Sequence, residues 1–199
     1  MNEMNRILET ITDAVCSLPP KERIIIAVDG RSASGKTTLA GLLEKALDAS
    51  VFHMDDFFLR PGQRTAERLD TPGGNVDHER FFDEILRPLI SGDERICYRP
   101  YDCGSQTLRQ EICAVPKKYV IIEGAYACHP SLRDHYDLRI FLTVPPEEQM
   151  RRIIRRSGVE KAAVFRDRWI PLEERYFAEC RVREYCGLSF DNSSTKIIG

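Results

Sequence analysis

Residues 30–37 read Gly-Arg-Ser-Ala-Ser-Gly-Lys-Thr and follow the pattern G-x-x-x-x-G-K-[ST]. Those residue types at that spacing make a phosphate cradle. Glycine lets the chain turn tightly and brings main-chain N–H groups onto phosphate oxygens. A helix starting at Lys36 adds its positive dipole end. Lys36 carries a mobile charge to the β- and γ-phosphates, and Thr37 offers a hydroxyl to Mg²⁺. The pattern assigns nucleotide binding to Gly30, Arg31, Ser32, Ala33, Ser34, Gly35, Lys36, Thr37 and the adjoining Thr38. The implied ligands are ATP and Mg²⁺, although the cradle reads phosphates and does not separate ATP from GTP.

A metal on Thr37 needs a carboxylate opposite it. Glu123 closes the apolar run 119–122 and stands where such an acid is expected, or is an ordinary strand-end acid facing water. His53-Met54-Asp55-Asp56 places two carboxylates after a short strand. Transfer to a hydroxyl needs a base, and Asp55 is the candidate, with Asp56 a turn cap. Asp77, ahead of a helix, is either an N-cap or a partner for an acceptor hydroxyl. In Met150-Arg151-Arg152-Ile153-Ile154-Arg155-Arg156, two arginine pairs lie four residues apart, so each pair shares a helical face. That run is a solvated surface or a lid that lays Arg151, Arg152 and Arg155 over the triphosphate, with Ser157-Gly158 as its hinge. The four histidines are scattered, and none is assigned to catalysis. Trp169 and Glu174 are expected to pack the base of the lid.

The elements that must position these groups follow from hydrophobic periodicity. Helical spacing predicts helices over 5–18, 36–47, 78–90, 146–156 and 165–186, the last interrupted at Pro171. Continuous apolar runs at 23–29, 119–122 and 138–144 predict strands buried on both faces, joined by shorter ones at 51–54 and 188–190. Residues 95–99 and 107–114 read as a hairpin, and 59–76 as a long functional loop. Buried strands alternating with helices predict an α/β domain with a mostly parallel sheet and helices on both faces. Ligands then sit at the carboxyl ends of strands, where Asp29, Asp55 and Glu123 fall.

A 199-residue chain fits one domain, 1–199, with an acceptor region near 55–115 and a lid near 150–170. A net charge of −2 offers no global basic field for nucleic acid, so any anion site must be local. The first residues lack a signal-peptide pattern, and no run reaches the roughly 18 apolar residues of a membrane span. Seven cysteines without ligand spacing argue against a zinc site and a disulfide framework, and predict mostly buried thiols in the cytoplasm. Oligomeric state is left open, a homo-oligomer included.

Taken in order, GRSASGKT (30–37), MDDFF (54–58), NVDHERFF (75–82), YRPYD (98–102), IIEG (121–124) and RRIIRR (151–156) resemble the uridine kinase and phosphoribulokinase family of P-loop kinases. The resemblance covers most of the chain, about 24–190. It implies a P-loop NTPase three-layer sandwich with a helical lid, and transfer of a γ-phosphoryl group to a hydroxyl of a small molecule such as uridine. It further implies Asp55 as catalytic base, Asp77 on sugar hydroxyls, Tyr101 near the acceptor base, Glu123 near Mg²⁺, and Arg151 to Arg156 as lid. The chain departs from the family where Gln106 replaces an expected histidine, and where Arg156 replaces an Asp. Glutamine can still bond a base edge, so Gln106 stays a substrate-binding candidate.

Three other functions match the sequence less well. Asp70-Thr71-Pro72-Gly73 imitates a GTPase switch element, but no buried strand precedes it and no N-K-x-D segment follows. A metallochaperone would want a Cys/His cluster. A catalytically silent nucleotide-binding regulator would need only part of the set Lys36, Thr37, Asp55 and Glu123.

Overall fold

The structure, a computed structural model, describes residues 3–193. Its centre is a five-stranded sheet ordered β2-β7-β1-β8-β9, with every pairing parallel. The strands are β1 (Ile24–Gly30), β2 (Ser50–His53), β7 (Tyr119–Glu123), β8 (Leu138–Thr143) and β9 (Leu188–Asp191). All seven residues of β1 are buried. Its alternate side chains serve two cores, because side chains of a strand point to opposite faces. Ile24, Ile26 and Val28 pack with α1 (Glu3–Cys16) and α2 (Lys36–Leu47), whereas Ile25 and Ala27 join the core of the opposite face. In α1 the buried residues Met4, Ile7, Ile11 and Val15 recur at helical spacing, which gives the helix its single apolar stripe.

The second core collects Phe52, Phe57, Phe81, Ile85, Tyr98 and Tyr176. It lies under the segments that follow β2: two 3-10 turns (Met54–Phe57 and Pro61–Gln63) and α3 (Ala66–Asp70), then a rod made of α4 (His78–Phe81), a π turn (Phe82–Leu86) and α5 (Arg87–Ser91). A two-tier hairpin completes the region. The inner tier pairs β4 (Tyr101–Asp102) with β5 (Thr107–Leu108), and the outer tier pairs β3 (Ile96–Tyr98) with β6 (Ile112–Ala114). The segment 107–114, expected as one strand, is thus two, each with its own partner.

Beyond β8 runs α6 (Pro146–Val164), broken at Gly158, whose φ of 81° and ψ of 165° are not helical. A π turn (Phe165–Trp169) leads into α7 (Ile170–Glu179), then α8 (Val182–Tyr185). Pro171 does not end the helix: the backbone stays helical through it, and only the α pattern is interrupted, by the π turn directly before α7. The break comes at Arg181, with φ 51°.

The cysteine expectation is corrected. Cys97 and Cys113 face each other across β3 and β6 and form a disulfide. Of the free thiols only Cys128 is buried, while Cys16 and Cys103 are exposed. Among the described residues no helix is long and apolar enough to cross a membrane.

Candidate active site

The carboxyl ends of β1, β2 and β7 open into one cleft of about 1710 Å³. The turn after β1 supplies its floor. Gly30 has φ 136°, and a methyl group there would stand 1.9 Å from the Leu142 carbonyl oxygen, so only glycine allows β1 to pass β8 this closely. Lys36 begins α2 and folds back over the turn, donating from Nζ to the carbonyls of Gly30 (2.8 Å) and Arg31 (2.9 Å). Ser32, Ala33, Gly35, Lys36, Thr37 and Thr38 all line the cleft.

Parallel register brings the metal-site candidates together. His53 pairs with Glu123 across β2 and β7. The His53 ring nitrogen Nδ1 lies 2.6 Å from Glu123 Oε1, and this bond raises the histidine pKa. Thr37 donates its hydroxyl towards both Glu123 oxygens at 3.3 and 3.4 Å. A hydroxyl and a carboxylate facing each other at the phosphate turn are hard oxygen ligands, and they fit Mg²⁺.

Asp55 lines the same cleft. Its side chain reaches solvent through the open mouth, but the surrounding walls desolvate it and raise its pKa, against the attraction of Lys36. A carboxyl raised from the ordinary range is a better proton acceptor. Asp56 does not cap a turn with its side chain, which accepts from the Tyr98 hydroxyl at 3.0 Å. Asp29 is fully buried and accepts from the N–H groups of Gly30, Tyr126 and Cys128 and from the Tyr176 hydroxyl. It braces strand ends and does not line the cleft.

The opposite wall carries Arg151, Arg152, Arg155, Arg156 and Arg168. Arg151 and Arg152 are steadied by Glu148, and Arg152 also donates to the Ala33 carbonyl at 3.3 Å. Arg155 meets no hydrogen-bond or ionic partner among the described residues. Trp169 lines the cleft, whereas it was expected only at the lid's base.

Several anticipated residues lie elsewhere. Arg31 turns its guanidinium away to Glu174 and the Val144 carbonyl, and its N–H is taken by Leu142. Ser34 is fully buried with its main-chain N–H on Arg31. Asp77 caps α4, accepting from the Arg80 N–H at 3.2 Å and from Gln63 Nε2 at 2.8 Å, and does not line the cleft. Tyr101 is buried with its hydroxyl accepting from Arg64 at 3.1 Å. Gln106 sits exposed at the hairpin tip with φ 57°.

Other residues of the cleft escaped the sequence reading. Glu173 accepts from both the N–H (3.0 Å) and the hydroxyl of Ser32, so a buried carboxylate rests on the phosphate turn. Burial raises its pKa. Asn192 donates to the Ser34 carbonyl at 2.8 Å. Neither the pairing of His53 with Glu123 across β2 and β7 nor Glu173, 141 residues from Ser32, carried a local signal.

No family model matches the chain. A uridine kinase of Staphylococcus haemolyticus is 32% identical over 66% of this chain and 67% of its own length. Among solved structures, a possible uridine kinase from Bacillus stearothermophilus superposes with a TM-score of 0.72 at 20% identity, covering 95% of this chain and all of that one. A D-glycerate 3-kinase from Cryptococcus neoformans gives 0.57 at 16% identity over 86% of both chains.

Proposed function

The chain belongs to the uridine kinase-like family of P-loop kinases and is a phosphotransferase with a hydroxyl acceptor; we propose that it uses ATP with Mg²⁺ to phosphorylate a small metabolite, a nucleoside such as uridine or a related alcohol. One observation carries this reading: Lys36, Thr37, Asp55 and Glu123 all line a single cleft.

The residues divide the work. Main-chain N–H groups of the phosphate turn and the Lys36 ammonium hold the β- and γ-phosphates. Thr37 and Glu123 would hold Mg²⁺, which when bound neutralises phosphate charge. Asp55 takes the acceptor's hydroxyl proton as that oxygen bonds to the γ-phosphorus. The bond from the γ-phosphorus to the bridging oxygen breaks and ADP leaves. Arg155, which lines the cleft with no acid partner among the described residues, answers the transferring charge. His53 keeps the Glu123 carboxylate oriented.

Coupled ADP release tests this. Purified protein with MgATP and a panel of nucleosides, pantothenate and sugar phosphates should turn over with at least one acceptor. Asp55→Asn should lower kcat by about 10²–10⁴ while nucleotide still binds, and Lys36→Ala should weaken both binding and rate. Full transfer by Asp55→Asn would remove the base assignment. Nucleotide binding with no transfer to any acceptor would favour the silent regulator.

A further inference from the structure

We propose that Arg64 anchors a negatively charged group of the acceptor, so that the substrate is an alcohol bearing a carboxylate or phosphate and not a neutral nucleoside; this rests on the kinase reading above.

Arg64 follows the Pro61–Gln63 turn and lines the cleft on the wall that holds Asp55, Leu59, Leu69, Asn75 and Cys103. Two bonds fix it there. Nε donates to the Leu59 carbonyl at 2.9 Å, and Nη2 donates to the Tyr101 hydroxyl at 3.1 Å. Both acceptors are neutral, so they orient the guanidinium without answering its charge. A guanidinium has five N–H donors in a planar fork; among the described residues nothing accepts from Nη1.

Its neighbours behave differently. Arg60 pairs with Asp77 (3.7 Å), Arg68 with Glu79 (2.6 Å) and Arg80 with Glu84 (3.1 Å). Arg64 alone of these four meets no acid among the described residues. Arg64 is solvent-exposed at the cleft beside Leu59 and Leu69, and its neutral bonds leave its charge free for an anion that enters the cleft. The donor triphosphate has other partners, since Lys36 and the arginines of α6 face it from the turn and the opposite wall.

Position sets the chemistry. Asp55, Arg64 and Cys103 all line the same cleft. Asp55 and Arg64 are not in ion-pair contact. A small molecule can bridge that gap with its hydroxyl at Asp55 and its anionic end on Arg64. The fork geometry of arginine suits the two oxygens of a carboxylate or phosphate. On the hairpin, Gln106 is exposed at the tip, whereas Arg64 lines the cleft.

The test uses matched acceptors with the full chain and MgATP: panthenol against pantothenate, glycerol against D-glycerate and glycerol 3-phosphate, and uridine alone. Rates come from ADP release. Binding to protein loaded with a non-hydrolysable ATP analogue comes from fluorescence of Trp169, the single tryptophan, which lines the cleft. The charged member should lead its neutral partner at least about tenfold in binding or kcat/KM, and the carboxylate and phosphate arms separate the two sources of charge. Arg64→Gln should raise the acceptor KM roughly 10- to 100-fold, more than it lowers kcat, and leave the ATP KM unmoved. Arg64→Lys should recover part of the loss. Neutral acceptors matching charged ones, turnover of uridine alone, or an unchanged KM in Arg64→Gln would each overturn the proposal. Failure of the kinase reading looks different: no acceptor of either kind binds or yields ADP, and this proposal falls with it.

Discussion

The two halves of the cleft are built on different principles. On the proposed donor side, the binding groups would come from contiguous residues, 30–38, held between β1 and α2 by buried sheet packing. On the proposed acceptor side, Asp55, Arg64 and Cys103 come from separate turns and a hairpin that lean on one another through side-chain bonds. Main-chain N–H groups make the first site, and any sequence that forms the turn makes it. Side chains make the second, so it can be retuned without disturbing the sheet.

Two glycines expose the contrast most strongly. A methyl group at Gly30 would lie 1.9 Å from the Leu142 carbonyl oxygen, and one at Gly74 would lie 2.0 Å from that of Arg68. The first contact is inside the sheet and cannot yield. The second is between loop residues that can shift. Gly30→Ala should therefore cost about 4 kcal/mol or more and abolish nucleotide binding, read by thermal melting and nucleotide titration. Gly74→Ala should cost about 1–2 kcal/mol, spare nucleotide binding, and disturb acceptor use. Equal losses in both variants would erase the distinction.

Acid should separate the halves further. His129 stacks on His78 of α4, with ring centroids 4.0 Å apart. Burial holds His129 neutral and lowers its pKa to about 3. In the unfolded chain it takes a proton near 6.5. Below that pH the unfolded state binds more protons, so stability present above 6.5 is lost as pH falls towards 3. The slope is about 1.4 kcal/mol per unit, or about 2 kcal/mol between pH 6.5 and 5. Melting at the two pH values should show it, His129→Asn should flatten it, and hydrogen exchange should find residues 66–91 opening before β1.

The smallest expected effect lies where the halves meet. The Glu173 carboxylate rests on Ser32 of the phosphate turn and repels a triphosphate. Glu173→Gln should tighten ATP binding roughly three- to tenfold. In the wild type, affinity should rise as pH falls through the raised Glu173 pKa, and the substitution should weaken that dependence. Looser binding in the variant would show that the charge helps to hold the turn open.

Legibility follows the same division. The central strands and the boundaries of α2 were readable because apolar runs and helical periodicity are local signals. The phosphate turn was readable because its geometry constrains consecutive residue types. The hairpin tiers and the Cys97–Cys113 bond were not, since register in a short hairpin depends on how it packs, and the cysteines lie 16 residues apart without a known spacing. Arg31 shows a limit within the motif: the pattern fixes its main chain, but its side chain went to Glu174 on α7.

By itself the sequence determined the α/β layering, the phosphate turn and the chemical types available beside it, because each depends on neighbours along the chain. Only the tertiary structure decided that Glu123 meets Thr37 and His53, that Glu173 rests on Ser32, and that Arg64 enters the cleft while Asp77 and Gln106 stay out. Those outcomes depend on which distant surfaces touch, and long-range contact is set by the packing of the whole core and not by any local run of residues.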